Sequence, residues 1–171
     1  MKRHLLRALT ICLVCALLLL AGCAQKTANP KDTCEEYLTS YFTSDAQGRY
    51  TKLSGSSYSE QDLAAYYETF RPVAAERCIE EMTQNRQPLS LEQALARAGL
   101  SGRPDGLQLT LYAEQEDRSV YTFSLNLIVA AGDGTETRLP LTGQITAERA
   151  GGKVLHLYVE ETEALLELIA A

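Results

Sequence analysis

The chain has 171 residues, 22 of them acidic and 16 basic, a formal net charge of −6 and no tryptophan. An acidic surface repels phosphate backbones, and no basic cluster offsets it, so the balance argues against a nucleic-acid partner. The length suits one domain with a single core behind a short leader.

The leader comes first. Lys2, Arg3 and Arg7 make a positive start, and Ala8 to Ala21 is apolar apart from Thr10. This run is shorter than the roughly 20 apolar residues a spanning helix needs, and small residues close it, as in an export signal. An uncleaved anchor helix from near Leu5 is the alternative; in both cases the positive start stays inside and the remainder is exported. The closing residues Leu20-Ala21-Gly22-Cys23 resemble the lipobox of bacterial lipoproteins. That resemblance implies cleavage before Cys23, acylation of its thiol, and a mature protein hanging from the outer side of a membrane by lipid. Two or three acyl chains anchor stably without further contacts. The expected organisation is a signal over 1–22, a lipidated tether over 23–31, and a single domain over 32–171. Losing 1–22 removes three basic residues and no acidic one, leaving 13 basic against 22 acidic.

Of five cysteines, Cys12 and Cys15 leave with the signal and Cys23 takes the lipid. Cys34 and Cys78 remain as a disulfide candidate in an extracytoplasmic compartment, with two buried thiols as the alternative. A bridge would close a loop of about 45 residues, worth roughly 4 kcal/mol in the chain-entropy model. No Cys-x-x-Cys survives and His156 has no ligand partner at a recognisable spacing, so no metal is expected.

Thr33 to Glu36 fits a capping box, followed by the stripe Cys34, Tyr37, Leu38, Tyr41, Phe42 of an amphipathic helix ending near Ala46 to Gly48. Ser59 to Asp62 starts a second helix with Leu63, Tyr66, Tyr67 and Phe70 on one face. Pro72 breaks it and takes the first position of a third helix, through Cys78, Ile79 and Met82 to about Gln84; one kinked helix is the alternative. Ser90 to Gln93 opens a fourth helix, capped at Gly99. The period then changes to two. Leu107 to Ala113, Tyr121 to Val129, Arg138 to Ala147 (Gly143 a candidate bulge) and Leu155 to Val159 read as strands. Short charged or glycine-rich separators predict antiparallel hairpins. The order predicts an α+β fold: N-terminal helices packed on a curved four-stranded antiparallel meander, in two layers, with Tyr121–Val129 paired on both sides.

The stretch Tyr37 to Ser54, with its aromatic helix and then Ala46, Gly48 and Tyr50, resembles the first-helix signature of the nuclear transport factor 2-like superfamily. The resemblance implies a cone-like domain, and its ketosteroid isomerase-like enzymes place an acidic base and tyrosine donors in the cone. Consecutive helical segments with no strand between them depart from many members. The inward strand positions Leu125, Leu127, Leu141, Ile145 and Leu157 carry no acid, so the catalytic set does not transfer. Asp117, Asp133 and Glu136 fall in predicted turns. His156 alternates with Leu155 and Leu157, sharing its face with Val154, Tyr158 and Glu160, and is expected in solvent. Tyr37, Tyr41, Tyr66 and Tyr67 are the candidates to line a pocket, with plain core packing as the alternative. No Gly-x-Ser-x-Gly or phosphate-binding glycine loop occurs, and no cofactor is implied. The sequence thus points to a non-enzymatic binding or accessory module in the cell envelope. The membrane is its first partner and an envelope protein a second. A small-ligand carrier or pocket enzyme is the alternative.

Overall fold

The computed structural model describes residues 29–44 and 58–160, together with residues 163, 165 and 167 in helical conformation. The signal, Cys23 and most of the expected tether lie outside the described residues, as do Ala46, Gly48 and Tyr50. Four helices precede four strands: α1 Pro30–Phe42, α2 Glu60–Glu68, α3 Glu76–Asn85, α4 Leu89–Arg97, β1 Leu100–Glu114, β2 Arg118–Ala131, β3 Glu136–Glu148 and β4 Val154–Val159. The strands form one antiparallel sheet in the order β1-β2-β3-β4, and helices pack on it. This is the expected α+β meander, with Tyr121–Val129 paired to both neighbours.

Helix α1 starts earlier than the capping-box pattern indicates. Asn29, not Thr33, is the N-cap: its side chain accepts from the Lys31 N–H at 3.1 Å. Pro30 fits behind it because the first turn needs no N–H there. Thr33 sits one turn in, its hydroxyl donating to the Asn29 carbonyl. The helix also ends sooner, at Phe42, because Ser44 is drawn into an antiparallel bridge with Gly102 on the outer edge of β1. Helix α2 has the expected capping box, Ser59 and Asp62 satisfying each other's backbone. Helices α2 and α3 are separate, but Pro72 does not open α3. After the turn that ends at Val73, Ala74 bridges to β4, with Val154 N–H donating to the Val73 carbonyl and Ala75 N–H to the Val154 carbonyl, so the helix begins only at Glu76. Helix α4 lacks a side-chain cap, the Ser90 hydroxyl donating instead to the Arg86 carbonyl. Gly99 follows its last turn at φ +70°, a conformation that glycine adopts freely.

Strand β1 is longer than expected. Its first half, Leu100–Gly106, contains Gly and Pro104, which hide a strand from pattern reading. Proline is tolerated there because β1 is an edge strand. The inner face of the sheet carries Leu109, Tyr121, Phe123, Leu125, Leu127, Val129, Leu141, Ile145 and Ala147, all buried. Against them lie Cys34, Tyr37, Leu38, Tyr41 and Phe42 of α1. On the outer face Ile128 is also fully buried. It is flanked in register by Arg103 and Arg138, which pair with Glu136 and Asp105.

Gly143 is not a bulge. It stands in regular register between Phe123 and Val159, and a Cβ there would come within 2.7 Å of the Phe123 ring and closer still to the Tyr158 carbonyl. The glycine gives the Phe123 ring its place. Leu127→Ala is expected to cost about 2–5 kcal/mol of unfolding free energy, the range for a truncated core leucine. Gly143→Ala should cost about 1–3 kcal/mol through overpacking. Urea denaturation of both variants against wild type checks each, and wild-type midpoints would contradict this packing.

Candidate functional site

The four tyrosines picked out as pocket candidates belong to the core, although Tyr67 also lines an open concavity of about 230 Å³ between α2 and α3. Tyr37, Tyr41, Tyr66 and Tyr67 are all buried, and they stack with Phe42 and Phe70 at centroid distances of 4.9–6.0 Å. The cavity beside Tyr37, Tyr41, Cys78, Met82, His156 and Leu157 has about 40 Å³. That is room for a water molecule, not for an organic ligand. Buried phenols need partners. Tyr37 donates to the Met82 sulfur at 3.3 Å and lies 3.6 Å from the Cys78 sulfur. Tyr66 donates to the Glu92 carboxyl at 2.9 Å. The Tyr67 hydroxyl has no partner among the described residues, and burial pushes its pKa up to about 12.

Glu92 was not legible as a site residue. It is buried on α4, 2 % exposed, and faces Tyr66. A signal was present: it stands three residues after Leu89 and three before Leu95, on the apolar stripe of its helix.

The disulfide expected between Cys34 and Cys78 is not formed; both are buried free thiols. Their helices do share one core, but each sulfur faces other neighbours. Cys78 meets the Tyr37 phenol, whereas Cys34 is buried in the core cluster that includes Tyr121. Burial pushes the Cys34 thiol up to about 12 and also raises Cys78. Both are therefore protonated and unreactive at neutral pH.

An open groove of about 740 Å³ lies on the surface. It lies between α3, which supplies Arg77 and Glu81, and the β1–β2 and β3–β4 hairpins, which supply Glu116, Asp117, Arg118, Glu148 and Arg149. His156 of β4 reaches it. The Glu81 carboxylate is shared, 3.2 Å from His156 Nδ1 and 3.1 Å from Arg77 Nε. These contacts, His156 first and then Arg77, hold Glu81 below the usual carboxylate range against partial burial. Arg118 pairs with Asp117 at 2.9 Å and Arg149 with Glu114 at 3.5 Å. Each arginine of the groove thus has a carboxylate, so no free cationic patch faces solvent here.

His156 is exposed as expected, but Val154 does not share its face: it is buried. Ala147 pairs with Val154 and Thr146 with His156, so Leu155 is an extra residue in β4. This bulge turns Val154 inward while keeping Leu157 packed on the core. Asp117 lies in the turn before β2, and the Asp133 carboxylate accepts from the Thr135 N–H. Glu136 begins β3 and pairs with Arg103. The described residues hold no group of three or more His, Cys, Asp or Glu able to bind a metal. None of their helices is long and apolar enough to cross a membrane. No family model, curated protein or solved structure matches the chain.

Two measurements check this geometry. In native protein a thiol reagent at neutral pH should leave Cys34 and Cys78 unlabelled and modify both after denaturation; rapid native labelling would contradict their burial. The Glu81 pKa is lowered on folding, so its stabilising share is present above the unfolded value and lost as pH falls through the folded one. His156→Ala should raise the Glu81 midpoint toward the ordinary carboxylate range in a carbonyl-carbon NMR titration, and an unmoved midpoint would rule the pairing out.

Proposed function

We propose that the chain is a lipid-anchored extracytoplasmic lipoprotein whose domain is a non-enzymatic binding or accessory module, engaging an envelope partner through its surface. The observation that carries this is the closed interior. Where a cone-shaped carrier or enzyme would hold its ligand, Tyr37, Tyr41, Phe42 and Phe70 pack against Phe123, Leu127, Leu141 and Ile145. A concavity of about 740 Å³ lies on the surface instead, on the tips of two hairpins and one helix. The anchor rests on the positive start, the apolar run and Leu20-Ala21-Gly22-Cys23.

One observation favours the second reading, a pocket enzyme of the ketosteroid isomerase-like class. Glu92 is a buried carboxyl accepting a hydrogen bond from the Tyr66 phenol, with the Tyr67 hydroxyl unpartnered among the described residues. A desolvated acid beside phenol donors is the chemistry such sites use. Beneath the helices the inner face of the sheet is filled by Phe123, Leu127, Leu141 and Ile145, and the binding module is the better reading.

Intact-mass analysis of the membrane fraction should find the chain starting at Cys23 with added acyl mass, and Cys23→Ser should move the exported protein out of the membrane. An unmodified, uncleaved chain would refute the anchor.

A further inference from the structure

We propose that the end of the domain bearing Leu111 and Tyr112 rests on the bilayer, with these two side chains in the membrane interface. The proposal depends on the anchor reading above and adds the orientation of the domain and a second membrane contact.

Leu111 and Tyr112 are 51 % and 69 % exposed, large apolar side chains adjacent on an edge strand. Leu111 pairs with Tyr121 and Ala113 with Val120, so Tyr112 is a bulged residue without an opposite partner. Bulges re-aim side chains, and a tyrosine, apolar in its ring and polar at its tip, suits the boundary between lipid and water.

The course of α1 fixes which end of the domain this is. Its C-terminal end is tied to Gly102 through the Ser44 bridge, and the Phe42 carbonyl lies beside the same glycine. Its N-terminal end lies at the opposite end of the sheet. There Tyr37 and Tyr41 of α1 share a small cavity with Leu157 of β4, and Leu157, Ile145, Tyr121 and Leu111 form one register row across the sheet. The N-terminal part of α1 therefore lies over the row that ends in Leu111 at the β1 edge, and not over the Gly132 end of the sheet.

The chain length then sets a distance. From the lipid cysteine, Cys23, to the cap residue Asn29 is six residues, spanning at most about 20 Å when fully extended. Counted from Ala21, the end of the apolar run, it is eight residues and roughly 28 Å. The far end of the sheet, at Gly132, is about 35 Å further along the strands at their usual rise. A tether this short, joined to the domain at Asn29, keeps the Leu111 end of the sheet nearer the bilayer than the Gly132 turn. The charges nearby, Arg149 with Glu114 and Arg118 with Asp117, are paired, and Asp32 and Glu116 are acidic. They give anionic headgroups no attraction, so the contact is apolar and fits a zwitterionic surface.

The absence of tryptophan makes the test direct. The full processed chain is reconstituted in phosphatidylcholine vesicles carrying Tyr112→Trp or, separately, Gly132→Trp, where a side chain meets open space. The Tyr112→Trp protein should emit to the blue of its detergent-free soluble counterpart, Cys23→Ser, and lose most of its emission to brominated phosphatidylcholine. The Gly132→Trp protein should do neither. Vesicle-bound, acylated protein with no quenching at position 112, or equal quenching at both positions, overturns the proposal and leaves the anchor standing. A blue shift at 112 that grows with protein concentration but is not quenched assigns the patch to a second copy and also overturns it. Protein that lacks acyl mass and does not float with vesicles overturns the anchor itself.

Discussion

The sheet is apolar on one face, and that face cannot stay open. Phe123, Leu127, Leu141 and Ile145 would together expose hundreds of square ångströms of hydrocarbon, at about 25 cal/mol for each of them. Helix α1 is the element that answers this, because its stripe from Cys34 to Phe42 is apolar at helical spacing and long enough to run across the strands. The fit depends on Gly143. With no side chain there, the Phe123 ring occupies the gap, and Phe42 of α1 comes to 6.5 Å from it. A larger residue would lift that ring and with it the helix.

Covering the sheet with tyrosines rather than leucines carries an obligation, since a buried hydroxyl without a partner is costly. The obligations tie helices to one another. Tyr37 connects α1 to Cys78 and Met82 of α3, and Tyr66 connects α2 to Glu92 of α4. Sulfur is a weak acceptor, so the first link is softer than the second. The helix layer is thus held by the sheet beneath and by polar contacts within it. This leaves little volume inside, which is why the functional reading moves to the surface.

How much of this could be read from sequence follows from the range of the forces. Alternation over Tyr121–Val129 and the stripe Tyr37–Phe42 report burial directly, so the α+β order, the central strand and the α2 capping box were all legible. Boundaries set by distant backbone partners were not. Helix α1 stops because Ser44 meets Gly102, and α3 starts late because Ala74 meets Val154. Neither pairing leaves a local trace. The candidate site was legible only in part. His156 could be placed on an exposed face, but its partner Glu81 is 75 residues away in the chain. The four tyrosines could be placed on inward faces, yet helical spacing does not distinguish a pocket wall from a packed core.

Bulges explain the rest, because a period-two argument has no room for an extra residue. Asp105 and Gln108 pair with Asn126 and Ser124, Leu111 and Ala113 with Tyr121 and Val120, and the third shift sits at Leu155. Beyond each one, the inward set moves by one position. At Leu155 the shift is what lets Val154 and Leu157, three residues apart, both pack inward while His156 stays outside. At Tyr112 it removes the cross-strand partner that would ordinarily cover a large side chain. Both bulges fall toward the hairpin end of the sheet, where α1 begins. Interior packing demands a strict alternation that the strands cannot keep to their ends, and its failure at Tyr112 leaves a large, exposed side chain without a cross-strand partner.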